Sequence, residues 1–139
     1  MKDRYFIDTN ILVYTFDQHS PKKQKKALEI VGAALQLQEG FISYQVMQEF
    51  LNVALQKFKS PLSLTDASDY LNEILLPLCE VYPSPALYQS ALRIKEKTKY
   101  RFYDALIIAS AVEGKSTTIY SEDLEPGRLI EGVSIKNPF

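Results

Sequence analysis

Short apolar runs alternate along the whole chain with longer segments whose apolar residues recur at helical spacing. The short runs are typical of buried strands, and the longer segments are typical of amphipathic helices. The pattern predicts strands at residues 4–7, 41–42, 79–82, 117–120 and 133–135. It predicts helices at residues 11–16, 21–38, 44–58, 65–76, 85–97 and 103–112.

Local signals support several of these boundaries. Ser20-Pro21 and Ser84-Pro85 each place a capping residue before a proline at the first helical position. Pro77 is expected to end the helix at residues 65–76. The last predicted helix is apolar almost all round, which indicates a helix buried between other elements.

Strands that alternate with helices predict an α/β fold with a parallel sheet and helices on both faces. No repeat or linker interrupts the pattern, so we expect one domain over residues 1–139. Ligands of such sheets collect beyond the carboxyl ends of the strands, where the strand order reverses. The residues that follow each strand are therefore the first candidates for chemistry.

Composition removes several classes of protein. The formal charge of −1 excludes a polycation that binds nucleic acid through its overall charge. A lone cysteine, Cys79, and a lone histidine, His19, exclude an intrachain disulfide and a Cys/His zinc site, and they leave no base beside a nucleophile for a serine or cysteine hydrolase. Cysteine usage and the lack of an apolar secretion signal or membrane span lead us to expect a cytoplasmic protein.

Carboxylates stand at several of the expected strand ends. Asp8 follows the first strand, and Glu122 and Asp123 follow the strand at residues 117–120. Asp104 begins the buried helix, and Glu49 lies in the helix after the second strand. We therefore expect acids from distant parts of the chain to converge at one edge of the sheet.

Each acid also has an ordinary structural interpretation. Asp8 and Asp104 are good helix caps, Glu49 lies at the border of a polar face, and the loop acids are expected in solvent. Convergence of these acids at one place would favour a functional site over the structural interpretations. Two carboxylates about 4 Å apart repel by roughly 4 kcal/mol at an effective dielectric of about 20, so such a cluster needs a counter-charge. An all-oxygen site selects Mg²⁺ or Mn²⁺, which can activate water and stabilise a phosphodiester under attack. The pattern therefore indicates a nuclease.

The sequence resembles the PIN-domain ribonucleases, and in particular the VapC-type toxins of bacterial toxin–antitoxin pairs. The resemblance covers essentially the whole chain. It rests on Phe-Ile-Asp-Thr-Asn at residues 6–10, Gln-Glu-Phe at 48–50, Tyr-Asp-Ala-Leu-Ile at 103–107 and Ser-Glu-Asp at 121–123. It implies a three-layer fold in which helices flank a central parallel sheet.

The resemblance also implies a metal-dependent endoribonuclease and assigns its site. The metal ligands and catalytic acids would be Asp8, Glu49, Asp104 and Asp123. Supporting residues would be Thr9, Asn10, Ser121 and Glu122. Ser121 replaces the commoner threonine, and Glu122 competes with Asp123 as the fourth acid. We assign Asp123.

A mechanism follows as a hypothesis. Asp8 and Asp104 hold Mg²⁺ or Mn²⁺, Glu49 orients or deprotonates the attacking water, and Asp123 completes the site. The resemblance further implies an antitoxin partner and a homodimer formed through helices. The apolar helix at residues 65–76 suits such an interface, although packing within one chain explains it equally well.

Basic residues precede Asp104 and are candidates for contact with RNA phosphates. They are Arg93, Lys97, Lys99 and Arg101, with Lys95 between them. A solvated helix end explains them equally well. The aromatic residues Tyr100, Phe102 and Tyr103 either stack on unpaired bases or belong to the core.

Two rival functions remain to be weighed. A phosphoacceptor receiver domain needs an acidic pair after the first strand and an acceptor Asp after the third, and this chain has neither. A PIN-like module that binds RNA or protein without cutting is the stronger alternative. The presence of all four family acids favours the enzyme.

Overall fold

The computed structural model describes residues 3–139, so Met1 and Lys2 of the predicted domain lie outside the described residues. The strands are Tyr5–Ile7 (β1), Gly40–Ser43 (β2), Cys79–Val81 (β3), Thr118–Tyr120 (β4), Leu129–Ile130 (β5) and Val133–Lys136 (β6). The helices are Thr9–Tyr14 (α1), Pro21–Leu37 (α2), Tyr44–Gln56 (α3), Leu64–Tyr70 (α4), Leu76–Leu78 (α5), Pro85–Thr98 (α6) and Phe102–Glu113 (α7).

The strands of residues 3–139 form one sheet in the order β3-β2-β1-β4-β6-β5. The neighbours from β3 to β6 in this order run parallel, which confirms the predicted α/β fold with a mostly parallel sheet flanked by helices. The chain builds β1, β2 and β3 outward in one direction and then returns to place β4 on the other side of β1. The strand order therefore reverses between β1 and β4.

The sheet also contains a strand that the sequence pattern did not predict. The short strand β5 runs antiparallel to β6, so the sheet is mostly parallel and has one antiparallel pair at this edge. A two-residue turn joins them, with φ of 51° at Glu131 and 82° at Gly132. Such paired positive φ values are typical of a tight hairpin. Two residues are too few to show an alternating apolar pattern.

The predicted helix at residues 65–76 is interrupted. A π-helical segment, Leu71–Leu75, follows α4 and leads into α5, which contains Pro77. Proline lacks the N–H of a regular turn, and the wider π turn before it allows the chain to continue to Leu78. The predicted end at Leu76 was therefore wrong by two residues, because the helical segment continues through Pro77 to Leu78.

The apolar side of this segment packs mainly within the chain. Leu75 is fully buried, and Leu71 and Ile74 pack against the core. Leu76 is the member of the predicted dimer face that stays exposed. The structure thus favours intramolecular packing for this helix.

The buried helix predicted from its composition is confirmed in α7. Its residues 105–111 are buried, and the helix packs against α6, β4 and β6. On the sheet, the buried rings of Phe6 and Phe41 meet edge to face at a centroid distance of 5.5 Å. No helix within residues 3–139 has the length and apolar character needed to span a bilayer.

Two glycine substitutions test this packing. A Cβ at Gly114 would overlap the buried ring of Phe41, whereas a Cβ at Gly32 in α2 would meet nothing within 4 Å. We expect Gly114→Ala to lower the free energy of unfolding by about 1–3 kcal/mol through overpacking. Gly32→Ala, the matched control, should raise it by about 0.5–1 kcal/mol. Urea unfolding of both variants measures these changes, and an unaltered Gly114→Ala midpoint would contradict the packing.

Candidate active site

The candidate site begins where the ends of β1 and β4 meet. Asp8 follows β1 directly, and its backbone N–H donates to the carbonyl of Tyr120 at the end of β4 over 3.0 Å. Ser121 is the next residue along β4 and is fully buried. The first acid therefore lies where the strand order reverses, which is the usual ligand position in an open α/β sheet.

Asp8 is held by hydrogen bonds to both carboxylate oxygens. The N–H of Thr9 donates to Oδ1 over 2.7 Å, and the hydroxyl of Ser121 donates to Oδ2 over 2.7 Å. The first bond makes Asp8 the N-cap of α1, so the capping interpretation is confirmed for this residue. The second bond comes from another strand and is not part of a helix cap.

The surroundings of Asp8 oppose its ionisation. The pKa of Asp8 is raised to about 6, chiefly by burial; the hydrogen bonds from Ser121 and Thr9 lower it, and the charges of Glu49 and Asp123 raise it. None of the ion pairs found in the described part of the chain involves Asp8. The carboxylate thus has hydrogen-bond donors but no paired cation.

Glu49 approaches the same region from α3. The hydroxyl of Thr9 donates to its Oε1 over 2.9 Å. Loss of solvation raises the pKa of Glu49, hydrogen bonds from Thr9 and Gln45 lower it, and the charges of Asp104 and Asp123 raise it. Thr9 therefore joins two predicted site acids, since it bonds Asp8 through its backbone and Glu49 through its side chain.

Asp104 lies in the first turn of α7 and is half-buried. Arg101 is the N-cap residue of this helix, so the capping interpretation of Asp104 was wrong. Partial burial raises the pKa of Asp104, the positive charge of Arg101 lowers it, and the charge of Asp123 raises it. Asp104 is therefore close enough to Asp123 and Arg101 to feel both charges.

Ser121 also organises the loop that carries Asp123. Its Oγ accepts the N–H of Asp123 at 3.1 Å and the N–H of Leu124 at 3.2 Å, while it donates to Asp8. Asp123 is exposed, and its charge influences each of the other predicted acids. We refer to Asp8, Glu49, Asp104 and Asp123 together as the acid cluster.

Glu122 has different partners from those of Asp123. Its carboxylate accepts the hydroxyl of Tyr14 at 2.6 Å and the ammonium of Lys23 at 2.6 Å. The bond from Lys23, followed by that from Tyr14, lowers the pKa of Glu122. Lys23 also lies 4.9 Å from the centroid of the Tyr14 ring. Adjacent acids in this loop therefore have separate environments.

Asn10 connects α1 to the same loop. Its Oδ1 accepts the N–H of Glu122 at 3.4 Å, and its Nδ2 is buried without a hydrogen-bond partner.

The residues of the acid cluster lie near one another but do not form a preformed metal-binding site. Within residues 3–139, no group of three His, Cys, Asp or Glu side chains is arranged to hold a metal ion.

The predicted basic residues are divided between two places. Lys97 forms an ion pair with Glu131 at 2.9 Å, and the charge of Arg93 also acts on Glu131. Lys99 ends α6 in the left-handed conformation with φ of 65°. Among the predicted basic residues, Arg101 has a charge that acts on Asp104, a member of the acid cluster. The structure brings Arg101 to the site and directs Arg93 and Lys97 elsewhere.

Sequence reasoning did not assign roles to Gln45 and Lys23. Gln45 donates from Nε2 to the carbonyl of Tyr103 over 3.2 Å and lowers the pKa of Glu49. Its position one helical turn before Glu49 was the available signal. Lys23 belongs to a lysine-rich helix start, and its partner Glu122 is distant in sequence, so no local pattern marks it.

Comparisons with known proteins agree with this geometry. The family model of the PIN domain matches residues 5–129. A search of curated protein sequences found no match. Among solved structures, a toxin–antitoxin complex from Klebsiella pneumoniae contains a chain that is 17% identical, with a TM-score of 0.70 and coverage of 97% of this chain and 98% of that one.

Two further solved structures have the same fold. The VapBC2 complex of Rickettsia felis, bound to a promoter DNA fragment, gives 20% identity and a TM-score of 0.62, covering 96% of this chain and 97% of that one. The sarcin–ricin-loop-cleaving toxin VapC20 of Mycobacterium tuberculosis gives 16% identity and a TM-score of 0.58, covering 86% of this chain and 89% of that one. These likenesses establish the fold.

The burial of Asp8 predicts a pH-dependent effect of its removal. Its folded pKa of about 6 lies above the unfolded value of about 3.9. The folded state therefore binds more protons between those values, and the free energy of unfolding falls as the pH rises through this window. A shift of about 2 units corresponds to at most about 3 kcal/mol.

We expect the stability of Asp8→Asn relative to the wild type to increase by up to about 3 kcal/mol between pH 4 and pH 7, in EDTA. Asp69→Asn, which changes an exposed acid of α4, is the matched control and should show no such trend. Urea unfolding at several pH values measures the difference. If the difference in the free energy of unfolding between Asp8→Asn and the wild type stays constant with pH, the conclusion that Asp8 is buried and unpaired is wrong.

Proposed function

The chain belongs to the PIN-domain family, and from this we propose that it is a metal-dependent endoribonuclease and the toxin of a type II toxin–antitoxin pair. The observation that supports the proposal is that the charges of the acid cluster act on one another, with Asp8 at the point where the strand order reverses. Asp8, the most buried acid, has no paired cation among the described residues. A bound cation would favour the ionised carboxylate, against the burial and the smaller repulsion from Glu49 and Asp123 that raise its pKa.

The donor set fits a hard divalent cation. Every acid of the cluster offers carboxylate oxygens, and the lone His and Cys of the chain are not among them. Mg²⁺ commonly binds through one or two carboxylates, retains several waters, and takes further oxygens from substrate phosphates. A site of this kind does not need three protein ligands gathered in advance. We therefore propose Asp8 and Asp104 as the residues that hold Mg²⁺ or Mn²⁺.

The remaining residues have roles that follow from their contacts. Ser121 and Thr9 keep the Asp8 carboxylate oriented. Glu49, fixed by Thr9 and with a raised pKa, is suited to accept a proton from the attacking water. When bound, the metal would stabilise the charge that develops on the phosphodiester. Arg101, beside Asp104, is placed to contact an RNA phosphate.

Asp123 is the better candidate for the fourth acid. Its charge acts on the other three acids, whereas Glu122 is neutralised by Lys23 and bonded to Tyr14. We propose that Asp123 completes the site and that Glu122 fixes the loop from its opposite side. Glu122 and Asn10 would then support the site through the loop backbone.

The toxin assignment rests on the structural neighbours. The Klebsiella structure is described as a toxin–antitoxin complex, the Rickettsia structure as VapBC2 bound to a promoter DNA fragment, and the Mycobacterium protein as a toxin that cleaves the sarcin–ricin loop. By analogy we propose an RNA substrate and a cognate antitoxin partner for this chain. We also propose a homodimer, and we assign no surface to it because the helical segment 64–78 packs mainly within its own chain.

Metal-dependent cleavage is the decisive test of the enzyme. Purified protein is incubated with total RNA and a tRNA pool in Mg²⁺, Mn²⁺ or EDTA. We expect discrete fragments that require metal, and a loss of more than about 100-fold in Asp8→Asn and Asp104→Asn, which exceeds the usual effect of removing a residue that only supports a ligand. Asp69→Asn, an exposed acid outside the site, should cleave like the wild type.

Full activity in Asp8→Asn or Asp104→Asn would refute these assignments. If no RNA is cut with any metal while titration calorimetry still detects RNA or protein binding, the domain is a non-catalytic binding module. Circular dichroism of each variant shows whether the fold is retained. The metal and EDTA lanes separate a metal requirement from a contaminating metal-independent ribonuclease.

The adjacent loop acids are distinguished by the same assay. We expect Asp123→Asn to lower cleavage by about 10–100-fold, and Glu122→Gln by less than about tenfold, because Glu122 acts through the loop. Glu122→Gln should instead lower the unfolding midpoint through the lost Lys23 pair. A larger loss of cleavage in Glu122→Gln than in Asp123→Asn would reverse the assignment.

A further inference from the structure

A cavity lies beside the acid cluster at the carboxyl ends of β2 and β3. It has a volume of about 210 Å³ and opens between the starts of α3, α6 and α7. Drug-sized ligands usually occupy about 300–1,000 Å³, so this cavity suits a smaller group such as one ring system. No charged side chain of the described residues lines it, so it is suited to a neutral group.

Aromatic side chains dominate the cavity, and several of them are unusually exposed. Tyr103 is 66% exposed, Tyr82 is 49% exposed and Tyr88 is 41% exposed. The rings of Tyr88 and Phe102 are nearly parallel, with an interplanar angle of 19° and a centroid distance of 6.5 Å. Exposed rings of this kind offer flat faces for stacking.

The wall of the cavity includes a polar group that lacks a partner. Gln45 is 9% exposed, and its Nε2 already donates to the carbonyl of Tyr103. Its Oε1 is buried and accepts no hydrogen bond. A buried acceptor without a donor destabilises the folded protein. A donor group entering the cavity and reaching Oε1 would therefore gain a bond without breaking an existing one.

Two lining residues, Gln45 and Tyr103, connect the cavity to the acid cluster. Tyr103 immediately precedes Asp104, and Gln45 lies one turn before Glu49 on α3 and acts on its pKa. An RNA chain with a phosphodiester at the acids would need to bring only a neighbouring nucleotide to these rings. The phosphate and the base would meet chemically different surfaces, one acidic and metal-binding and the other neutral and aromatic.

We propose that this cavity binds one unpaired nucleobase next to the scissile phosphodiester, a proposal that rests on the proposed ribonuclease function. The base stacks on Tyr103 and the neighbouring rings, as unpaired bases do on aromatic side chains. Gln45 Oε1 accepts a hydrogen bond from an amino or imino N–H on the edge of the base. The cavity thereby selects single-stranded RNA with an extruded base, in preference to a continuous duplex.

The test measures base binding without requiring cleavage. The probe is an RNA hexanucleotide with 2-aminopurine at one position and random bases elsewhere, and EDTA is present because the proposed cleavage requires a metal ion. Stacking of 2-aminopurine on tyrosine quenches its fluorescence. We expect quenching by the wild type in EDTA, and about tenfold weaker binding by Tyr103→Leu and by Tyr82→Leu, consistent with the usual cost of losing one stacked base.

Two further variants sharpen the test. Gln45→Met keeps the side-chain volume and removes the acceptor, so we expect about two- to tenfold weaker binding. Phe16→Leu is the matched control, because Phe16 is also an exposed aromatic residue and lies outside this cavity. It should bind the probe like the wild type. Circular dichroism confirms the fold of each variant.

The outcomes separate the subsite from the proposed enzyme and from another occupant. No quenching by the wild type, or equal binding by all the variants, would overturn the subsite. Quenching that depends on Tyr103, in a protein that cuts no RNA, would support the subsite and refute the enzyme. If sedimentation shows a dimer that Tyr103→Leu dissociates while probe affinity is unchanged, a second copy covers this surface and the proposal is wrong.

Discussion

The hydrogen bond from Ser121 to Asp8 joins the two sides of the molecule. It connects the ends of β1 and β4, the parallel neighbours between which the strand order reverses. The same hydroxyl accepts the backbone N–H groups of Asp123 and Leu124, so it sets the loop as well as the carboxylate. With Ser121 fully buried, the positions of Asp8 and Asp123 depend on the register of the sheet.

The electrostatics of the site follow from this arrangement. Burial and neighbouring carboxylates make the ionised Asp8 unfavourable, and hydrogen bonds only partly offset the effect. By contrast, Glu122 is paired with Lys23 and Glu131 is paired with Lys97. Asp8 has a raised pKa and no paired cation within residues 3–139, unlike these two acids. A buried acid of this kind is typical of a functional site.

Much of the fold could be predicted from periodicity. The predicted strands were found, and the buried helix α7 was evident from its apolar composition. The errors occurred where local signals were weak or misleading. The two-residue strand β5 is too short to show a pattern, and the π-helical segment 71–75 allows the chain to pass through Pro77 in a way that helix rules do not anticipate.

The sequence by itself determined the fold class and which acids end strands or begin helices, because hydrophobic period and residue type are local properties. Only the tertiary structure decided how the environments of the adjacent acids Glu122 and Asp123 differ. Glu122 forms an ion pair with Lys23, while the charge of Asp123 acts on the other acids of the cluster. It also placed Gln45 against Tyr103 and formed the aromatic cavity. These contacts join residues far apart in the chain, and only the packed sheet and helices bring them together.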